Sequence, residues 1–178
     1  MFGSKKTESE LSYWHFEKIE GSDYLMIAVC SSEKGFKNSH LVNHNYLFLN
    51  TNDLSSHWLF PTNNQLIGTP TQIPKTFVKS DFNEFYDEYS FDKKNQLPIG
   101  WLLFLVKKSD KEGAVYICDA SFENLTLLIN EANYIKEKVR KYNDSMLIFY
   151  SAKNTIFVSE IKLSEKKIIQ TKELPEIQ

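Results

Sequence analysis

Trp101-Leu102-Leu103-Phe104-Leu105-Val106-Lys107-Lys108 and, past a polar turn, Val115-Tyr116-Ile117-Cys118-Asp119 form the text that decides the fold. Two apolar runs of strand length, rich in β-branched and aromatic residues and separated by charge, read as an antiparallel hairpin. Residues 125–129 add a third run. The same three-part text returns at residues 146–152, 156–161 and 166–170, and stands earlier at 24–30, 46–50 and 57–60. Such self-similarity predicts an all-β fold of antiparallel meander repeats, propeller-like or built of stacked sheets. The second and third units are offset by roughly 40–45 residues, the period of a four-stranded blade. The first interval is longer, so an insertion is expected at about residues 62–97.

Residues 1–10 are polar and read as a flexible N-terminal segment, with residues 11–178 as one β-repeat domain. Ser12-Tyr13-Trp14-His15-Phe16 alternates as an aromatic strand does. Thr51-Asn52-Asp53-Leu54-Ser55-Ser56 supplies turn chemistry, because Asn and Asp side chains tie back to nearby backbone. Residues 134–142 scan two ways. Ile135 with Val139, and Glu137 with Lys141, have helical spacing; Asn143-Asp144 followed by a new apolar run fits strand, turn, strand. The strand reading is preferred, since it completes a four-stranded unit. On it, Lys136, Lys138 and Arg140 face solvent while Ile135 and Val139 face the core.

With 178 residues, 42% of them hydrophobic and 14% aromatic, the chain suffices for one buried core. A formal charge of −2, from 21 basic and 23 acidic residues, supplies no field that would gather nucleic acid or an anionic membrane. Every basic residue except Arg140 is lysine, so the planar fork that grips phosphate or carboxylate is nearly absent. Cys30 and Cys118 lie in apolar runs and read as small buried hydrophobes. No run reaches the roughly 18 apolar residues of a membrane span. The chain carries no export signal, and a periplasmic or cell-envelope location is admitted if a leader was removed.

Asn45-Tyr46-Leu47-Phe48-Leu49-Asn50, leading through its turn into Ser56-His57-Trp58-Leu59-Phe60-Pro61, resembles the outer hairpin of propeller-type β-repeats of uncharacterised bacterial proteins. So does Asn154-Thr155-Ile156-Phe157-Val158-Ser159-Glu160-Ile161, a strand entering a lysine-rich turn. The resemblance covers about half of the chain and lacks the Trp-Asp and Gly-His marks of other propellers. Propellers typically close with roughly 4–8 blades, so three units imply an open stack, a truncated propeller or closure through another copy.

One segment stands out chemically, Asp81-Phe82-Asn83-Glu84-Phe85-Tyr86-Asp87-Glu88-Tyr89-Ser90-Phe91-Asp92. On a helix, for which residues 81–91 are the candidate, Phe82, Phe85, Tyr86 and Tyr89 share one face and the acids another. It reads as an aromatic flap with solvated carboxylates, or as a contact surface of Phe82, Glu84, Phe85, Tyr86, Asp87, Glu88 and Tyr89. His40 and His44 have the spacing of two ligands on a helical turn, but without the Glu of a metalloprotease, and no metal or cofactor is expected. His15 and His57, each beside a tryptophan, read as partly buried structural histidines. No serine elbow, phosphate-binding glycine loop or C-x-x-C pair is present.

The expected function is a non-catalytic binding or scaffold module that meets a protein partner, or itself, through loops on one face. Two rival expectations are a carbohydrate or peptide hydrolase using the carboxylates of residues 81–92, and a structural subunit assembling through sheet edges.

Overall fold

The computed structural model describes residues 11–34, 39–76, 97–109, 112–142 and 144–175. The helix considered near 81–91, and all seven residues of the expected contact surface, lie outside them. Among the described residues every regular element is a strand.

The first sheet is a meander of β1 (Ser12–Lys18), β2 (Tyr24–Lys34), β3 (Ser39–Asn50) and β4 (Ser56–Trp58). Its β3–β4 turn is built as its residues foretell: Asn50 and Asp53 side chains accept from the backbone N–H of Asn52 and Ser55, at 2.9 and 2.8 Å. The middle sheet comprises β5 (Leu66–Ile67), β6 (Thr71–Pro74), β7 (Ile99–Ser109), β8 (Glu112–Asp119) and β9 (Thr126–Ile129). Here β5 and β6 pair with successive parts of the same edge of β7, so the sheet is four strands wide at any level. Of the stretch 62–97, residues 66–67 and 71–74 thus belong to this sheet. The third sheet is a meander of β10 (Tyr134–Tyr142), β11 (Ser145–Ala152), β12 (Thr155–Lys162) and β13 (Lys167–Glu173). Residues 134–142 are therefore a strand.

The three sheets stack like propeller blades, because β7 and β8 are apolar on both faces. Leu102, Phe104, Val106 and Cys118 join Met26, Ala28, Cys30, Tyr46 and Phe48 of the first sheet in one core. The alternate residues Leu103, Val115 and Ile117 join Met146, Ile148, Tyr150 and Ile161 of the third sheet in a second. A strand buried on both sides reads as a continuous apolar run, as Trp101 to Val106 does. Phe122, from the β8–β9 turn, is driven into the first core, stacked on Phe48 and edge-on to Tyr24 with centroids 5.3 Å apart. It holds φ at 65°, a strained value for phenylalanine that burial of the ring offsets. Both cysteines are buried thiols, and burial pushes Cys118 up to about 12.

The third sheet corrects one expectation. Its register slips between Ile135 and Glu137, a bulge that consumes one residue and reverses the alternation after it. Arg140 consequently turns inward opposite Met146, 8% exposed, with its guanidinium 5.5 Å from the centroid of Trp101. Lys138 also points back toward the stack, donating to Thr71 of β6 at 2.9 Å. Val139, opposite Leu147, faces outward instead of into the core.

On that outward face Glu160 ties together all four strands. Its carboxylate accepts from Lys141 of β10 at 2.9 Å, Ser145 of β11 at 2.7 Å and Gln170 of β13 at 2.8 Å. Those three hydrogen bonds, led by Lys141, hold its carboxyl below the usual glutamate value.

Two predictions follow from these contacts. Phe104→Ala empties a fully buried site between two sheets and should lower unfolding free energy by about 3–5 kcal/mol in urea titrations. The Glu160 network contributes stability above the unfolded carboxyl value of about 4.3 and loses it as pH falls through the lower folded value. Glu160→Gln should therefore flatten the acid limb of the urea midpoint against pH, with wild type and variant converging in strong acid.

Candidate functional site

The turns at one end of the stack converge on Pro98, Ile99 and Gly100, the entry into β7. Ile99 N–H donates to Glu20 of the β1–β2 turn at 2.8 Å, Lys75 N–H to Pro98 at 2.8 Å, and Ala120 N–H to Gly100 at 2.9 Å. Two glycines permit this approach. A Cβ on Gly21, which holds φ at +70°, would lie 2.5 Å from Pro98 Cβ; one on Gly100 would lie 2.8 Å from Lys75 Cγ.

Around this junction opens a cleft of about 690 Å³. Its walls come from all three sheets: Ser22, Asp23 and Tyr24 from the first, Lys75, Trp101, Asp119 and Ser121 from the middle, and Ser164 from the third. One carboxylate ties the third sheet to the middle one there, and a second braces the turns of the third sheet against each other. Asp119 accepts from Lys166 Nζ at 2.9 Å through one oxygen and from Asn124 Nδ2 at 2.9 Å through the other. Asp144 accepts from Ser164 N–H and Ser164 Oγ, both at 2.6 Å. Asp23 is fixed through its backbone, whose carbonyl accepts from Thr51 N–H at 2.7 Å and Thr51 Oγ1 at 2.9 Å.

The lining is mixed in chemistry: hydroxyls and carboxylates at the mouth, with the rings of Tyr24 and Trp101 beside them. Such a surface can hydrogen-bond a polar group and pack an apolar one, which is the requirement for capturing a segment of another molecule. Behind Tyr24, the half-buried His57 sits against Phe48 and Phe122, with centroids 5.7 Å away in both cases. Burial lowers its pKa, against the opposing field of Glu123, which suits a ring that serves as a packing element.

His15, by contrast, is exposed at a bulge in β1 with φ at 50°, not partly buried as its neighbouring tryptophan implies. His44 is the extra residue of a bulge in β3. Its Nδ1 lies 3.1 Å from the Gln65 carbonyl, which fixes Nε2 as the acceptor for Ser31 Oγ at 2.7 Å. That serine is only 2% exposed, so the pair fastens residues 60–65 to the first sheet and offers no open nucleophile. Asn45 fastens the same stretch, donating to the carbonyls of Phe60 at 2.8 Å and Thr62 at 3.1 Å. Among the described residues no group of three His, Cys, Asp or Glu is placed to hold a metal.

None of the cleft residues was singled out by sequence reading. Asp23 and Ser164 stand in turns and Asp119 at the end of β8, with no shared motif, and only the stacking of the sheets brings them together. The expected contact residues Phe82 to Tyr89 lie outside the described residues, but the strand ends on either side of them, Lys75 and Ile99, both line the cleft.

No protein family matches the chain, and no curated protein matches it. Among solved structures, the β-propeller domain of the Trilobed protease from Pyrococcus furiosus, described as having an open velcro topology, is similar, with a TM-score of 0.49 and 11% identity. That likeness covers 96% of this chain and 45% of the other, so the chain spans a little under half of that structure's length.

Gly21→Ala should cost more than about 1 kcal/mol, since it meets both an unfavourable φ and the Pro98 ring. An unchanged thermal midpoint in calorimetry would show that the junction yields freely.

Proposed function

We propose that the chain is a non-catalytic binding module that captures a protein partner through the turns gathered at this one end of the stack. The observation that carries the reading is the convergence of all three sheets on a single cleft, whose walls are backbone-pinned and whose lining is both polar and aromatic. Loops held by a rigid β-scaffold are where recognition ordinarily resides. Phe82, Glu84, Phe85, Tyr86, Asp87, Glu88 and Tyr89 form part of the proposed contact surface, because the chain that carries them departs from and returns to the cleft wall. Aromatic residues interspersed in sequence with acids suit a partner presenting apolar and basic side chains.

The rival reading, a hydrolase using the carboxylates of residues 81–92, rests on a segment outside the described residues; within them Asp119 is engaged by Lys166 and Asn124.

Ser121→Trp would fill the cleft from its rim, and the pair Phe85→Ala with Tyr86→Ala would remove the aromatic anchors. In pull-downs from the native cell, a partner retained by wild type should be lost by both variants while their thermal midpoints stay close to wild type. Equal capture by folded Ser121→Trp would overturn the cleft as the contact site.

A further inference from the structure

His57 of β4 stands where two walls of the cleft meet from behind. Its ring lies 5.8 Å from that of Tyr24 and 5.7 Å from that of Phe122, and those two rings are themselves 5.3 Å apart. Tyr24 lines the cleft from the first sheet. Phe122 directly follows Ala120 and Ser121, which line it from the middle sheet. Phe48 closes the cluster from below, 5.7 Å from the imidazole.

Phe122 is the strained member of this cluster. Its φ of 65° is costly for phenylalanine, and packing of the ring on Phe48, Tyr24 and His57 offsets that cost. Weakening the cluster lets this backbone relax, and the Ala120–Ser121 wall moves with it. The charge state of His57 is such an influence. From β2 it meets the Tyr24 phenol, from β3 the uncharged Phe48, and from the β8–β9 turn Phe122 and the field of the Glu123 carboxylate. A neutral imidazole packs in this company as one more ring, whereas an imidazolium must keep its hydration and is drawn toward water. Burial lowers the pKa more than Glu123 raises it, as it must where protonation and packing compete. The stability this ring contributes is therefore present above the ordinary histidine value of about 6.5 and is lost as pH falls through the lower folded value.

We propose that His57 is a pH-operated latch on the cleft: neutral, it holds Tyr24 and Phe122 in place as walls; protonated, it leaves the ring cluster and both walls loosen. Its bearing on capture rests on the reading of the cleft given above. Capture is then strong near neutral pH and weak in mild acid.

The test begins with the protein alone, titrated by NMR from about pH 8 to about pH 5. The His57 ring protons should titrate below the ordinary histidine value, and the Tyr24 and Phe122 ring resonances should shift with the same midpoint. The Phe122 N–H, which donates to Asp119 at 2.8 Å, should lose exchange protection over that window once the intrinsic pH dependence is divided out. Glu123→Gln removes the opposing field and should lower the midpoint further. His57→Phe keeps a ring without the charge, so the Tyr24 and Phe122 signals should stay flat. Wild-type rings that stand still while His57 titrates overturn the latch, as do rings in His57→Phe that still shift with the wild-type midpoint. Should His57→Phe fail to fold, the wild-type and Glu123→Gln titrations decide alone. In pull-downs from the native cell, wild type should retain its partner at the higher pH and lose it at the lower, while His57→Phe retains it at both. Wild type and variant that respond alike to pH overturn the latch as a control of capture. Rings that move together in a chain that captures nothing at either pH support the latch and overturn instead the cleft as a capture site.

Discussion

The middle sheet has no polar side to give to water, and the rest of the molecule is arranged around that constraint. Leu102, Phe104 and Val106 demand cover on one face, Leu103 and Ile117 on the other, and each set is buried by a different neighbouring sheet. An isolated sheet of this composition would expose two greasy faces, so the flanking meanders are partners it requires. The reverse also holds. The flanking sheets each have one strongly apolar face, and both draw their cover from β7 and β8. Loss of order in the middle sheet would therefore dissolve both cores at once.

The same strand fixes the site. Because β7 enters the core at Ile99, its preceding residues must run where the turns of the other sheets end, and the backbone bonds to Glu20, Lys75 and Ala120 draw those turns around it. The cleft is thus a by-product of how a doubly buried strand begins. Its walls are held by main-chain bonds and by Asp119 and Asp144, leaving hydroxyls and rings at the surface for recognition. Rigidity of this kind lowers the entropic cost of capturing a partner.

The sequence was most legible where burial is periodic. The runs beginning at Trp101 and Met146 announced their strands because alternate residues must satisfy two faces, and the meander order followed from the polar turns between them. Legibility failed where a single residue breaks the period. The bulge at Lys136 leaves no compositional mark, yet it reverses the side chains from Glu137 to Arg140 and sends Arg140 under Trp101. The strands β5 and β6 are too short, and β6 ends on a proline, so neither carries a periodic signal; their pairing is imposed by the long neighbour β7. The cleft was silent for another reason. Asp23 and Ser164 are ordinary turn residues and Asp119 an ordinary strand end, and their proximity is a property of the stack, which no local window contains.

The first and third sheets pair only strands that follow one another along the chain, and in the middle sheet β5 alone skips a strand to reach β7. Loop closure in the two outer meanders is therefore short-range, and hairpins of this kind form within microseconds, far ahead of the search that brings β5 and β6 onto β7. The expensive step is deferred to docking, when preformed ribbons meet. During synthesis the first meander emerges with its aromatic face bare and must wait for residues 99–119 before it has anything to lie against. That interval is the stretch of its life in which the protein is most exposed to chaperones and to mispairing with its siblings.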